Sequence, residues 1–292
     1  MKAGLAAAIA AIALGGAALA GELDGGQGRF GLPTVPAGVT RTADLPYGPH
    51  PRQRIDVYRP AHPTGPVLVM VHGGGWRHGD KAMPFVVDAK IAHWAAGRGW
   101  VLVSVGYRLA PEARPHQQGR DLAQAMALVQ REAAEWGADG DRVVLMGHSA
   151  GAHLAALVSA SPALVREAAV RPWLGSVVLD SAALDTVALM QRRHLPLYDQ
   201  AFGGDPAVWR ASSPTQALTR DAPPPPMLLV CSQSRRDDPC GQSETFAQRV
   251  RAVGGRVQVL PQALNHMEIN ALLGRPGPYT DAVDAFLREL VR

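Results

Sequence analysis

The feature that most constrains this chain is an alternation. Short Val- and Leu-rich runs recur at residues 54–58, 67–71, 101–107, 143–146, 177–179, 227–231 and 257–260. Most lack the polar alternation of a half-exposed strand, as expected for strands covered on both faces. Helical patterns lie between them. In "DLAQAMALVQREAAEWG" (121–137), Leu122, Ala125, Met126, Leu128 and Val129 share one face and Gly137 stands as a terminator. "SETFAQRVRAVGG" (243–255) is predicted to be capped by Ser243, and "TDAVDAFLREL" (280–290) by Thr280. Strands alternating with helices predict an α/β fold: a mostly parallel central sheet with helices on both faces.

The chain has 292 residues, of which 47% are hydrophobic and 18% charged. It can therefore bury a sizeable core as one domain, and the composition of disorder is absent. Its 29 basic and 25 acidic residues give a formal charge of +4. That balance, with no basic run, predicts no nucleic-acid partner. Residues 1–20, "MKAGLAAAIAAIALGGAALA", combine Lys2, an uncharged apolar stretch and Ala18-Leu19-Ala20. They read as a cleaved secretory signal, which predicts export to the periplasm or medium and no stable membrane span afterwards. Residues 21–53, rich in Gly and Pro, read as an irregular arm, and 54–292 as the folded domain. Within it, 185–222 holds no strand pattern and reads as a small cap-like insertion. Cys231 and Cys240, the two cysteines of an exported chain, are expected to pair.

"RVVLMGHSAGAHLAAL" (142–157) runs from an apolar strand through Gly147-His148-Ser149-Ala150-Gly151 into an alanine-rich helix. Glycines on either side let a serine take strained angles at a strand-to-helix turn, where side chains would strike the neighbouring strand and helix. The hydroxyl then stands at the sheet edge, facing the positive end of the helix. Ser149 is the candidate nucleophile. Upstream, "VLVMVHGGGW" places His72-Gly73-Gly74-Gly75-Trp76 at the end of an earlier strand. Three glycines let backbone N–H groups approach a substrate and stabilise an oxyanion. No H-E-x-x-H, Cys/His cluster, acidic calcium loop or Walker loop is present, so no metal or nucleotide cofactor is expected.

With "HGGGWRHGDK" (72–81), "VGYRLAPEARPHQQGRDLAQA" (105–125), "GHSAGAHLAAL" (147–157) and "LNHMEIN" (264–270), residues 45–290 resemble the α/β-hydrolase superfamily. The likeness is to its hormone-sensitive-lipase, feruloyl-esterase-like (BD-FAE) and kynurenine formamidase groups. The resemblance implies an α/β-hydrolase fold, nucleophile Ser149, and oxyanion amides at Gly74, Gly75 and Ala150. It also implies the chain order nucleophile, acid, base. The base then falls after the last strand, where His266 alone of the ten histidines follows the expected acid. The acid is expected past the strand 227–231, in "CSQSRRDDPC", where the family's usual position falls near Ser234 or Arg235. Asp237 and Asp238 come later in that loop; Asp237 is preferred because Pro239 restricts the backbone of Asp238. Trp76 and Tyr107 are the expected substrate-binding residues, and Arg108–Asp121 a scaffold pair. The activity implied is hydrolysis of a small carboxylic ester through an acyl-enzyme. The alternatives are an arylformamidase using the same residues and a hydrolase-like binding module without catalysis. Oligomeric state and natural ester are not legible.

Overall fold

The computed structural model describes residues 31–292, and Leu32–Arg292 form one compact unit. The leader read at 1–20 and the start of the arm lie outside the described residues. The centre is an eight-stranded sheet in the order β1-β2-β4-β3-β5-β6-β7-β8. Its strands are β1 Val39–Pro46, β2 Arg54–Pro60, β3 Val67–Val71, β4 Val101–Val105, β5 Val143–His148, β6 Gly175–Leu179, β7 Met227–Ser232 and β8 Val257–Gln262. β1 and β2 run antiparallel to their neighbours, and β3 to β8 are parallel. This is the α/β fold read from the alternation.

The parity of each strand assigns its side chains to opposite faces. Val67, Val69 and Val71 of β3 and Val143 and Leu145 of β5 pack with Leu122, Met126 and Val129 of the Pro115–Glu132 helix and Leu154 and Val158 of the Ala150–Ala160 helix. Leu68, Met70, Val144 and Met146 face the other way, toward Trp94 and toward Val283, Phe286 and Leu287 of the Pro278–Leu290 helix. Runs apolar at every position are thus strands with two buried faces.

Several boundaries differ from the sequence reading. β1 lies inside the stretch read as irregular; only Val39 of its residues is buried, so no apolar run betrays it, and pairing with β2 fixes it. The helix expected to start at Ser243 starts at Pro239, capped by the Asp238 side chain on the Gly241 N–H at 2.9 Å. The last helix begins at Pro278, and Thr280 instead accepts the Gly274 N–H. Between β6 and β7 lie four short helices, Thr186–Met190, Pro196–Phe202, Pro206–Ala211 and Pro214–Ala217. Among the described residues no helix is long and apolar enough to cross a membrane.

Candidate active site

In parallel strands the carboxyl ends share one edge, where loops from adjacent strands converge. His148 of β5 pairs with Leu179 of β6, so Ser149 and Asp180 are the next residues to leave the sheet, side by side. The Ser149 N–H donates to the Leu179 carbonyl at 2.9 Å. Ser149 holds φ 58° and ψ −118°, a conformation costly for a residue with a Cβ and characteristic of functional sites. The flanking glycines permit it. A Cβ on Gly147 would run into the Gly151 carbonyl, and one on Gly151 into the Val71 and His72 carbonyls.

Three side chains meet at this edge. His266, at the start of the His266–Ala271 helix beyond β8, has Nε2 at 2.9 Å from Ser149 Oγ. Its Nδ1 lies 2.6 Å from Asp180 Oδ2. The ring can take a proton from the serine while its other nitrogen donates to the carboxylate. The geometry corrects the expectation for the acid. Asp237 makes no hydrogen bond to His266; Arg235 Nε donates to its Oδ1 at 2.9 Å and Arg235 Nη2 to its Oδ2. Asp238 is spent as a helix cap. The reason lies in register: Asp180 directly abuts Ser149 across β5 and β6, whereas the loop after β7 places Arg235 where a carboxylate was expected. A signal existed in the sequence, since Asp180 is an acidic residue immediately after a fully buried strand.

Asp180 is fully buried, yet ionised. Burial pushes its carboxyl up, but the His266 hydrogen bond, the Arg235 guanidinium and the Ser232 N–H outweigh it and hold it down to about 2. Ser232 N–H donates to Oδ1 at 2.8 Å and Arg235 Nη1 to Oδ2 at 2.9 Å. His148 supports the base from below: its Nε2 lies 2.9 Å from the His266 carbonyl. Burial pushes the His148 imidazole well below the ordinary histidine range, so it serves there as a neutral donor.

The glycine turn after β3 stands against the nucleophile. A Cβ on Gly73 would lie 2.9 Å from the Ser149 Cβ. Gly74 and Gly75 take φ values of 122° and 60°, which only glycine adopts freely. The turn is closed by His78 N–H on the Gly74 carbonyl at 2.9 Å. Among the described residues no protein acceptor takes the N–H of Gly74, Gly75 or Ala150. Ala150 is the first residue of its helix, where the amide has no partner in the preceding turn.

The two residues expected to bind substrate are both buried, with their polar atoms bonded within the protein. Tyr107 is fully buried, stacks on His72 at 4.4 Å and donates its hydroxyl to the His72 carbonyl at 2.9 Å. It braces the glycine turn from beneath and presents no wall to a ligand. Trp76 is 3% exposed. Its Nε1 donates to His153 Nδ1 at 3.1 Å, and its ring packs on Phe202 at 4.8 Å, tying the turn to the Pro196–Phe202 helix. Arg108 and Asp121 form the ion pair expected of them, at 2.6 Å, with Gln53 donating to the same carboxylate. Cys231 and Cys240 are bonded, closing the loop that carries Arg235 and Asp237. Among the described residues no cluster of three His, Cys, Asp or Glu could hold a metal.

Known proteins share this architecture. The chain is 30% identical to the esterase LipC of Mycobacterium tuberculosis over 269 residues, covering 84% of this chain and 64% of that one. It is 28% identical to the esterase LipQ of the same organism over 285 residues, covering 89% and 66%. The chain thus spans just under two thirds of the length of these relatives. Esterase B of Lactobacillus rhamnosis superposes with a TM-score of 0.69 at 21% identity, covering 89% of this chain and 87% of that one, which is a likeness of fold. The BD-FAE family model matches residues 55–250, from β2 into the Pro239–Ala252 helix, more than half of the sequence, and the chain belongs to the BD-FAE family.

Proposed function

We propose that the protein hydrolyses carboxylic esters through an acyl-enzyme on Ser149. The observation that carries this is the continuous line from Ser149 Oγ through His266 to Asp180, 2.9 Å and 2.6 Å long, beside unpaired backbone amides. Ser149 Oγ attacks the ester carbonyl as His266 Nε2 takes its proton. The carbonyl oxygen becomes an oxyanion, which in this reading accepts hydrogen bonds from the amides of Gly74, Gly75 and Ala150; each such donor lowers the barrier by about 3–4 kcal/mol. His266 then protonates the leaving alkoxide, freeing the alcohol and leaving an acyl ester on Ser149. Water, deprotonated by the same nitrogen, attacks that ester and releases the acid. Asp180 keeps the Nδ1 proton in place and balances the imidazolium charge.

Replacing Ser149 by alanine is expected to abolish turnover of a short-chain nitrophenyl ester and labelling by a fluorophosphonate. Turnover equal to the parent's would overturn the assignment. Export belongs to the same reading, supported by the pattern of residues 1–20 and by the Cys231–Cys240 bridge, which suits an oxidising compartment. Signal cleavage after Ala20, read by mass spectrometry of the secreted chain, tests it.

A further inference from the structure

Arg235 occupies the position where the sequence resemblance led us to expect an acid, and it carries the opposite charge. Its guanidinium is shared between two carboxylates. Nη1 donates to Asp180 Oδ2 at 2.9 Å and to the Asp180 carbonyl at 3.1 Å, while Nε and Nη2 grip Asp237. Nη1 also lies 3.0 Å from His266 Nδ1. When Nδ1 carries the proton that it gives to Asp180, that approach is no hydrogen bond: two donors converge on one oxygen, and a fixed cation stands against the ring.

We infer that Arg235 is a positioning residue of the hydrolytic centre: it clamps Asp180 behind His266, and its charge lets the rate persist to lower pH than an Asp180–His266 pair alone would sustain. The inference rests on the ester-hydrolase reading above. The clamp follows from geometry. Asp180 Oδ1 is fixed by the Ser232 N–H, and Oδ2 would otherwise have His266 as its one side-chain donor. The charge effect follows from what surrounds the ring. Ser149 faces Nε2, and Asp180 and Arg235 face Nδ1. His148 of β5 lies 4.6 Å away and is neutral, so it does not change charge near neutrality. Glu268, on the same helix, is turned to the Asn265 N–H. Lys90, buried near His148, bonds to the Asn270 carbonyl. Asp237 stands on the far side of Arg235, with Tyr198 of the Pro196–Phe202 helix at 3.5 Å. The nearest cation is thus Arg235, partly neutralised by Asp237, and its charge stands directly against the ring.

The experiment measures kcat/KM on a short-chain nitrophenyl ester, and the rate of Ser149 labelling by a fluorophosphonate, across pH for four proteins. Arg235→Met is expected to raise the acid limb of both profiles by about one pH unit, since one close unit charge is removed. Arg235→Lys keeps the charge without the fork and is expected to return the limb toward the parent's at a lower plateau. Asp237→Asn leaves the guanidinium less neutralised and is expected to move the limb downward. Opposite displacements in the Met and Asn variants support the inference. An Arg235→Met profile that falls in height with its acid limb unmoved makes Arg235 merely structural and overturns it. Should that variant not fold, an Asp237→Asn limb that stays or rises overturns it equally. A parent chain that is not labelled at Ser149 is a different result, and it sinks the hydrolase reading itself.

Discussion

The identity of the acid can be tested by a single exchange of oxygen for nitrogen. Asp180→Asn leaves the volume unchanged but makes one side-chain atom a donor. Both positions are already occupied by donors: the Ser232 N–H points at Oδ1, and His266 Nδ1 and Arg235 Nη1 point at Oδ2. An amide nitrogen beside His266 is satisfied only if the ring proton moves to Nε2. That nitrogen then faces Ser149 as a donor and cannot take its proton. A wrong tautomer of this kind lowers kcat by about 10⁴, or about 5 kcal/mol. Folding also weakens. A carboxyl held at about 2 in the folded state, against an ordinary value near 4, contributes about 2–3 kcal/mol at neutral pH. That contribution is present above the ordinary value and is lost as pH falls toward 2. Assays of kcat on a nitrophenyl ester should therefore be run well below each variant's melting temperature. Asp237→Asn, whose carboxylate is hydrogen-bonded to Arg235 and Tyr198 but not to the imidazole, is expected to stay within about tenfold of the parent. The reverse pattern, with Asp237→Asn losing several thousandfold and Asp180→Asn losing little, would refute the register argument.

Three buried histidines make acid stability a second test. Burial pushes His72 and His153 down to about 4 and His148 well below its ordinary range. Depressed values mean stability present above about pH 6.5 and lost on acidification, about 3 kcal/mol each for His72 and His153; urea midpoints that stay flat from pH 7 to 5 would contradict this. Lys90 is fully buried with the Asn270 carbonyl as its partner at 2.8 Å, and desolvation pushes it down to about 7. Lys90→Met is expected to stabilise the fold at pH 7 by about 1–3 kcal/mol, after the orphaned carbonyl is counted, with the gain shrinking as pH approaches 10. A gain independent of pH would show that packing, not charge, is responsible. Removing both cysteines opens the Cys231–Cys240 loop, which should cost about 2–3 kcal/mol in thermal melts. Because Arg235 lies within that loop, kcat should fall as well; unchanged kcat would mean the loop keeps its shape unaided.

Local chemistry made much of this protein legible. Runs apolar at nearly every position read as strands covered on both faces, and they marked β3 to β7; β2 and β8, which carry polar residues, were marked by their shorter apolar runs and their place in the alternation. Gly147, Ser149 and Gly151 marked the turn because its steric demands are met within a few residues. Gly73 to Gly75 marked the donor turn for the same reason. β1 escaped notice, since an exposed edge strand has no apolar signature and exists through its partner.

What the tertiary structure alone decided is which carboxylate stands behind His266. Asp180, Asp237 and Asp238 each follow a buried strand, and the one local cue that separated two of them, Pro239 after Asp238, said nothing of Asp180. The choice is made by strand register, which sets Leu179 beside His148 and so Asp180 beside Ser149. Tertiary packing likewise sets Arg235 between Asp180 and Asp237, and buries Tyr107, which was expected to bind substrate, beneath the glycine turn. Sequence dictates what each short segment can become; distances between segments far apart in the chain follow from how strands pair and faces pack.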